Sequence, residues 1–229
     1  MNNPPPRTAA VVGATGLVGT CLVSQLLADP DYHKVITVAR REVEVIHPGH
    51  QHIVLDFEDR QAYAEAFNCD VLFSALGTTR KLAGNQQKQF RVDHDYQLWA
   101  AEAAHANGAH TCVLVSAAGA HATSAFFYSR LKARLETDLI ALGFARTCIL
   151  RPGLLDGDRT EHRPGEQAAL RLLRMLPTWI LPASLRPMPV TTVARIARLA
   201  VRTTGVGVSL WEAAEIFARA PAVTPADEM

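Results

Sequence analysis

A valine-rich run, Ala9-Ala10-Val11-Val12, passes directly into Gly13-Ala14-Thr15-Gly16-Leu17-Val18-Gly19, and apolar residues then recur at 17, 18, 22, 23, 26 and 27. A strand that turns on G-x-x-G-x-x-G into an amphipathic helix leaves few folds open. Gly13 permits the tight turn, Gly16 lets a pyrophosphate approach the backbone, and Gly19 lets the helix pack close to the sheet. The start of such a helix presents unpaired N–H groups and the positive end of its dipole to the phosphates. A glycine-rich turn that binds nothing is the alternative. The position between a valine strand and an amphipathic helix, at the head of the chain, favours the dinucleotide.

The rest of the chain alternates in the same way. Short apolar runs at Ala9–Val12, Val35–Ala39, His52–Leu55, Val71–Ser74, Cys112–Ser116 and Thr147–Leu150 read as strands. Several are rich in Val and Ile without alternation, which suits strands covered on both faces. Leu17–Ala28, Arg60–Phe67, Gln86–Asn107 and Ser124–Leu142 read as helices, with Gly108 and Gly143 placed to end the last two. Repeated strand–helix–strand units predict an α/β fold, a doubly wound parallel sheet of Rossmann type with right-handed crossovers. After Arg151 the pattern changes: a polar stretch Gly157–Gly165, an apolar helix Gln167–Leu176, a proline-rich passage from Pro177 to Pro189, a helix Thr191–Thr203, a strand Val206–Trp211 and a last short helix. No linker separates these parts, so residues 1–229 are expected to form a single domain with a small C-terminal extension on the substrate side. Residues 1–7 and 221–229 are expected to be flexible ends.

Charge and cysteine content narrow the partners. With 23 Lys+Arg against 22 Asp+Glu the formal net charge is +1, so no overall field draws the protein to nucleic acid or to an anionic membrane. Cys21, Cys69, Cys112 and Cys148 are widely spaced among apolar neighbours and read as buried free thiols of a reducing compartment, not as a disulfide framework or a zinc site. The nine histidines show no metal-ligand spacing, so no metal is expected. No apolar leader opens the chain, and Pro177 and Pro182 interrupt the short apolar stretch Met175–Leu185. These features predict a cytoplasmic protein, a monomer or homodimer, whose partner is a small-molecule substrate.

Two further constellations carry chemistry. The second strand runs out on Arg40-Arg41-Glu42, where an acidic residue would hold the ribose 2′-hydroxyl of NAD and arginine would hold the 2′-phosphate of NADP. Two arginines favour NADPH over the reading of two solvated surface charges; Glu42 is the alternative ribose ligand, set late for that role. Asp56 after the third strand is either an adenine contact or a turn cap. Phe126-Phe127-Tyr128-Ser129-Arg130-Leu131-Lys132 places Tyr128 and Lys132 one helical turn apart on one face, after the fifth strand. An ammonium beside a phenol favours the tyrosinate and suits it to acid–base chemistry. Elsewhere in a chain Y-x-x-x-K is commonplace; its position gives it meaning here.

With these motifs in place the chain resembles the short-chain dehydrogenase/reductase superfamily, in its atypical branch. It is most similar to the oxidoreductase family of the Tat-interacting tumour-suppressor protein and its bacterial relatives. The resemblance also rests on Leu76-Gly77-Thr78-Thr79-Arg80-Lys81-Leu82-Ala83-Gly84, Phe90-Arg91-Val92-Asp93, Leu114-Val115-Ser116, Leu150-Arg151-Pro152-Gly153-Leu154-Leu155 and Arg163-Pro164-Gly165-Glu166, in order from Val11 to about Val193. It implies cofactor contacts at Thr15, Gly16, Leu17, Val18, Arg40, Arg41, Leu76, Gly77, Tyr128, Lys132, Leu154 and Arg163. It also implies that Tyr128 passes a proton while Lys132 holds the nicotinamide ribose and assists the phenol.

One departure matters. Where relatives often carry Ser-Ser after the fifth strand, this chain reads Ser116-Ala117-Ala118. Either Ser116 or Ser124 takes the role of binding the substrate oxygen, or that role is weakened. Arg80 and Lys81 lie on the ligand side, as anchors for an anionic substrate or as ordinary loop charges. Trp179, Ile180, Leu181, Leu185 and Met188 form a lid, a subunit contact or core. The leading expectation is an NADPH-dependent oxidoreductase acting on a carbonyl or quinone-like molecule. A regulator that binds NADPH without significant turnover is the rival, and an isomerase using the dinucleotide transiently is a third class. Fold alone does not choose among them.

Overall fold

The computed structural model describes residues 5–43, 45–156, 181–203 and 205–220. Seven parallel strands form the main sheet: β1 (Arg7–Val12), β2 (Tyr32–Ala39), β3 (His50–Val54), β4 (Val71–Ser74), β5 (Thr111–Val115), β6 (Arg146–Arg151) and, last in the chain, β9 (Gly207–Glu212). Their spatial order is β3-β2-β1-β4-β5-β6-β9. The order runs outward from β1 in one direction and then restarts at β4 in the other. The carboxyl ends of β1 and β4 therefore flank the switch point, where sheets of this kind open a ligand crevice.

The strands carry the Val, Ile and Leu runs expected of a doubly covered sheet, and β4 and β5 are buried at every residue. One apolar core lies beneath α1 (Leu17–Leu27), where Val18, Leu22 and Leu26 meet Val11, Phe73 and Val113. It extends to the helices labelled here α7 (Val190–Thr203) and α8 (Ala213–Arg219). The opposite core lies beneath α2 (Tyr63–Ala66), α5 (Tyr96–Ala106) and α6 (Phe127–Ala141), where Phe67, Ala100, Leu135 and Leu139 meet Leu72, Leu114 and Ile149. Each fully buried Leu or Phe stabilises the fold by about 1.5–3 kcal/mol. Two opposed cores make the sheet doubly wound.

The helix expected over Gln86–Asn107 is continuous but not uniform. α4 (Gln86–Phe90) opens on Asn85, whose Oδ1 accepts from Lys88 N at 2.8 Å, and runs through a π-helical turn (Arg91–Asp95) into α5. A short α3 (Arg80–Ala83) precedes it, capped by Thr79 Oγ1, which accepts from Leu82 N at 3.3 Å. A separate parallel pair, β7 (Leu154–Asp156) with β8 (Pro187–Pro189), lies beyond β6. Met188 is fully buried and belongs to the core, whereas Leu185 is exposed. Trp179, Ile180, Arg163 and the expected helix Gln167–Leu176 lie outside the described residues, as does the tail from Pro221. No helix among the described residues is long and apolar enough to cross a membrane.

Candidate functional site

At the switch point the loops after β1 and β4 touch. A Cβ built on Gly13 would lie 2.4 Å from Leu76 N, and one on Gly19 would lie 2.1 Å from Gly13 O. Both glycines are therefore required by the turn itself. Gly16 is different: its φ is −82°, open to any residue, and its Cβ would meet Gly13 O at 3.3 Å. Gly16 stands exposed beside Thr15. Gly16 is also the N-cap of α1 and offers no side chain to the helix. Thr20 N takes Gly16 O as the first intrahelical acceptor, so the N–H groups of Leu17, Val18 and Gly19 remain for an anion. Val18 is buried, so only its N–H can serve a ligand; Leu17 is half-buried and Gly77 is exposed, with Leu76 half-buried beside it.

Arg40 and Arg41 follow β2 and are exposed, and their guanidinium groups make no hydrogen bond or ion pair to any described side chain. Glu42 approaches His52 Nε2 at 4.0 Å. Asp56 Oδ1 accepts from Glu58 N at 3.0 Å, which is a turn role. Nearby, Tyr96 donates its phenol proton to Glu58 Oε1 at 2.5 Å; burial first and then this bond push Tyr96 up to about 12.

Tyr128 and Lys132 sit in the first turns of α6. The phenol ring is 42% exposed while Lys132 is only 2% exposed, its Nζ 5.9 Å from the ring centroid. Asp93 of the π turn is fully buried within reach of the Lys132 charge. Its Oδ1 accepts from Thr78 N at 2.6 Å and its Oδ2 from Gln89 Nε2 at 3.3 Å. Burial pushes Asp93 above the ordinary aspartate value, while Lys132, the Thr78 N–H and Gln89 pull it back. Asp93 thus ties the loop after β4 to the π turn and to α4, under the electrostatic influence of the lysine. The motif Phe90-Arg91-Val92-Asp93 is visible in the sequence, but the pairing with Lys132 is not. The next residue reinforces the placement: His94 lies between Asp95 Oδ1 at 2.9 Å and Asp138 Oδ2 of α6 at 3.0 Å. Burial would raise Asp138, but Arg134 and His94 hold it below the usual carboxylate range.

Ser116 does not face this crevice as a free donor. It is buried, and its hydroxyl donates to Glu136 Oε1. Glu136, also buried, is clamped by Arg151, with Nη2 to Oε2 at 2.5 Å and Nε to Oε1 at 3.0 Å, and Arg151 Nη1 reaches Glu212 Oε1 at 2.8 Å. Those carboxylates hold Arg151 above its usual value. The row joins β5, α6, β6 and β9. In this structure the one hydroxyl proton of Ser116 goes to the Glu136 carboxylate. Ser124 is half-buried and its Oγ accepts from Phe126 N at 3.2 Å, which leaves its proton to donate. Leu154 lies in β7, half-buried and paired with Pro187. Arg80 and Lys81 project from α3 and are exposed.

A profile described as NAD(P)H-binding matches residues 13–170. The chain belongs to this NAD(P)H-binding family. Protein FMP52, mitochondrial, of Candida glabrata is 41% identical over 159 residues, covering 69% of this chain and 68% of the relative. The protein of the same name from Candida albicans is 36% identical over 193 residues, covering 82% and 84%. A solved structure of MoeE5 in complex with UDP-glucuronic acid and NAD matches at a TM-score of 0.70 and 16% identity, over 95% of this chain and 82% of that one. It shows the Rossmann-type fold. The relatives carry the name FMP52 and not that of the Tat-interacting protein. They are also named mitochondrial, which overturns the cytoplasmic expectation. Cys69 and Cys148 are buried free thiols that burial pushes up to about 12, which keeps the sulfur protonated and unreactive.

Proposed function

We propose that this NAD(P)H-binding protein is an NADPH-dependent oxidoreductase that reduces a carbonyl or quinone-like small molecule. The observation that carries the reading is the pairing at the start of α6, the helix after β5: an exposed phenol, Tyr128, backed by the buried ammonium of Lys132. The residues around the crevice suit a dinucleotide. Gly16 and the free N–H groups of Leu17, Val18 and Gly19 fit a pyrophosphate, and Arg40 and Arg41 have free guanidinium groups for a 2′-phosphate.

A bound nicotinamide supplies the hydride in such chemistry. Tyr128 gives its phenol proton to the substrate oxygen, and Lys132 offsets the charge left on the phenol oxygen. The buried Asp93 carboxylate and the Lys132 ammonium attract one another within the fold. Ser124, with its proton uncommitted, is the candidate to orient the substrate oxygen. Single-turnover oxidation of NADPH against a panel of carbonyls and quinones tests the assignment.

A second reading, an NADPH-binding regulator without turnover, is favoured by one observation. The hydroxyl of Ser116 is bound to Glu136, so the customary polarising serine is missing from the crevice. NADPH binding without oxidation by any member of the panel would decide for the regulator.

A further inference from the structure

The loop that carries Arg40 and Arg41 is held to the sheet edge by a row of side chains that is one proton short. Thr37 of β2 is fully buried, and β3 brings His52 opposite it and His50 opposite Val35, on the same face of the sheet. Thr37 Oγ1 lies 2.9 Å from His50 Nε2 and 2.8 Å from His52 Nδ1. The outer nitrogen of each ring meets a main-chain carbonyl: His50 Nδ1 is 3.1 Å from Val45 O, and His52 Nε2 is 3.0 Å from Arg41 O.

The row contains four hydrogen-bond contacts, and each needs one proton. The two carbonyl oxygens can only accept. Two neutral imidazoles contribute one N–H each, and the threonine contributes one O–H. Whichever tautomers are chosen, one contact then sets lone pair against lone pair. With one added proton every contact closes in a single direction: His50 donates to Val45 O and to Thr37, Thr37 donates to His52, and His52 donates to Arg41 O.

We propose that His50, Thr37 and His52 together bind one extra proton, and that this proton fastens the Arg41–Val45 loop to β2 and β3. The latch makes the hold on a 2′-phosphate depend on pH; that last coupling rests on the reading that Arg40 and Arg41 grip the phosphate. Among the described residues the surrounding charges are few. Glu42 Oε2, 4.0 Å from His52 Nε2 but largely exposed, favours the added proton through a screened attraction, and Arg40 and Arg41 on the same loop oppose it. α1 packs over this side of β2 and carries no acidic or basic side chain; its one ionisable group is the Cys21 thiol, which burial pushes up and keeps neutral. β1 brings the apolar Ala9 and Val11 to this face. His33, further along β2, is engaged by Pro6 O at 2.9 Å and Thr8 Oγ1 at 3.4 Å, and His47 Nδ1 accepts from Gly49 N at 3.1 Å.

The test follows the His50 and His52 ring protons by NMR from about pH 8 to about pH 5, the range in which imidazoles titrate. Wild type and Thr37→Ser, which keeps the hydroxyl, are expected to show one concerted one-proton step across both rings. Thr37→Val, of nearly equal shape, is expected to lose it, each ring then titrating alone. Two independent steps in the wild type, or a concerted step that survives in Thr37→Val, overturns the latch. Affinities for NADPH and NADH measured over the same range supply the cofactor arm. The ratio should rise with falling pH more steeply in wild type than in Thr37→Val, by up to about tenfold per pH unit, the ceiling for one linked proton. The titration of the phosphate itself is common to both proteins and cancels. A double Arg40→Ser, Arg41→Ser variant that keeps its NADPH preference would remove the cofactor reading alone, because the proton step is read from the rings without any dinucleotide.

Discussion

Lys132 brings its ammonium to 5.9 Å from the centroid of the Tyr128 ring, from a side chain only 2% exposed to a ring 42% exposed. The phenol is therefore open to a ligand while the neighbouring charge is shielded from bulk water, where its effect is stronger. If Tyr128 is the proton donor, Tyr128→Phe keeps dinucleotide affinity and reduces single-turnover NADPH oxidation by about 10²–10⁴-fold, the range for loss of one positioned acid. Lys132→Met weakens both binding and turnover. A Tyr128→Phe protein that turns over at the wild-type rate on a confirmed substrate excludes the phenol.

Ser116 and Tyr128 should behave oppositely. Removal of the Ser116 hydroxyl leaves Glu136 still clamped by Arg151, so Ser116→Ala is expected to change turnover little. It should lower stability by about 1.5–3 kcal/mol, the usual contribution of a hydrogen bond to a charged group. Denaturant titration beside steady-state kinetics separates the two effects. A hundredfold loss of turnover at unchanged stability would return Ser116 to the catalytic set.

The glycines divide in a similar way. A Cβ on Gly19 would overlap Gly13 O at 2.1 Å, so Gly19→Ala is expected to lose about 2 kcal/mol or more through overpacking at α1. Gly16→Ala meets its nearest neighbour at 3.3 Å and should fold nearly normally. It should nonetheless weaken NADPH binding by about tenfold or more, a difference of ~1.4 kcal/mol, because the new methyl occupies the side on which a phosphate approaches. Calorimetry with NADPH and thermal melts of both variants check the contrast.

Local signals made most of the fold legible. The strand–turn–helix at Gly13–Gly19 and the helix ends at Gly108 and Gly143, with φ of +91° and +76°, are written in neighbouring residues. β3 was less legible. The strand spans His50–Val54, where a reading by apolar content begins at His52, because its histidines look like loop residues until Thr37 is placed between them. The β7–β8 pair was invisible: its strands are short, far apart in sequence, and one is bounded by Pro187 and Pro189. The chemistry divided along the same line. Tyr128 and Lys132 share one helix and declare themselves by spacing. The bond from Ser116 to Glu136 and the approach of Asp93 to Lys132 join separate elements, and no periodicity reports them.

The exposed pair at the end of β2 makes the cofactor prediction. Neither the Arg40 nor the Arg41 guanidinium is engaged by a described side chain, so each is available to a phosphate. NADPH should bind more tightly than NADH by about tenfold or more, since charge-assisted contacts contribute roughly 1.5–3 kcal/mol. Added salt should erode the preference. Equal affinities at low ionic strength would mean that the arginines serve another purpose.

Asp93 gives the clearest dependence on pH. Its carboxyl is fully buried and its pKa is raised above 3.8, by burial foremost, against the lowering effects of Lys132, the Thr78 N–H and Gln89. A raised folded value means that the folded state holds the proton more tightly than the unfolded chain. Its stabilising contribution is complete below the ordinary aspartate value and is lost as pH rises through the folded value. Asp93→Asn removes that loss: the amide oxygen still accepts from Thr78 N, and the Gln89 amide can turn to accept in place of donating. The wild type minus variant difference in unfolding free energy should therefore fall as pH climbs from about 4 towards neutrality. Asp138, whose pKa is lowered, contributes the opposite slope, but it contributes equally to both proteins and drops out of the difference. Turnover should move the other way, because Lys132 loses its countercharge beside Tyr128. Denaturant unfolding of both proteins at several pH values, with NADPH oxidation at neutral pH, tests the pairing. A flat stability difference with normal turnover would show that Asp93 neither titrates in the fold nor serves the lysine.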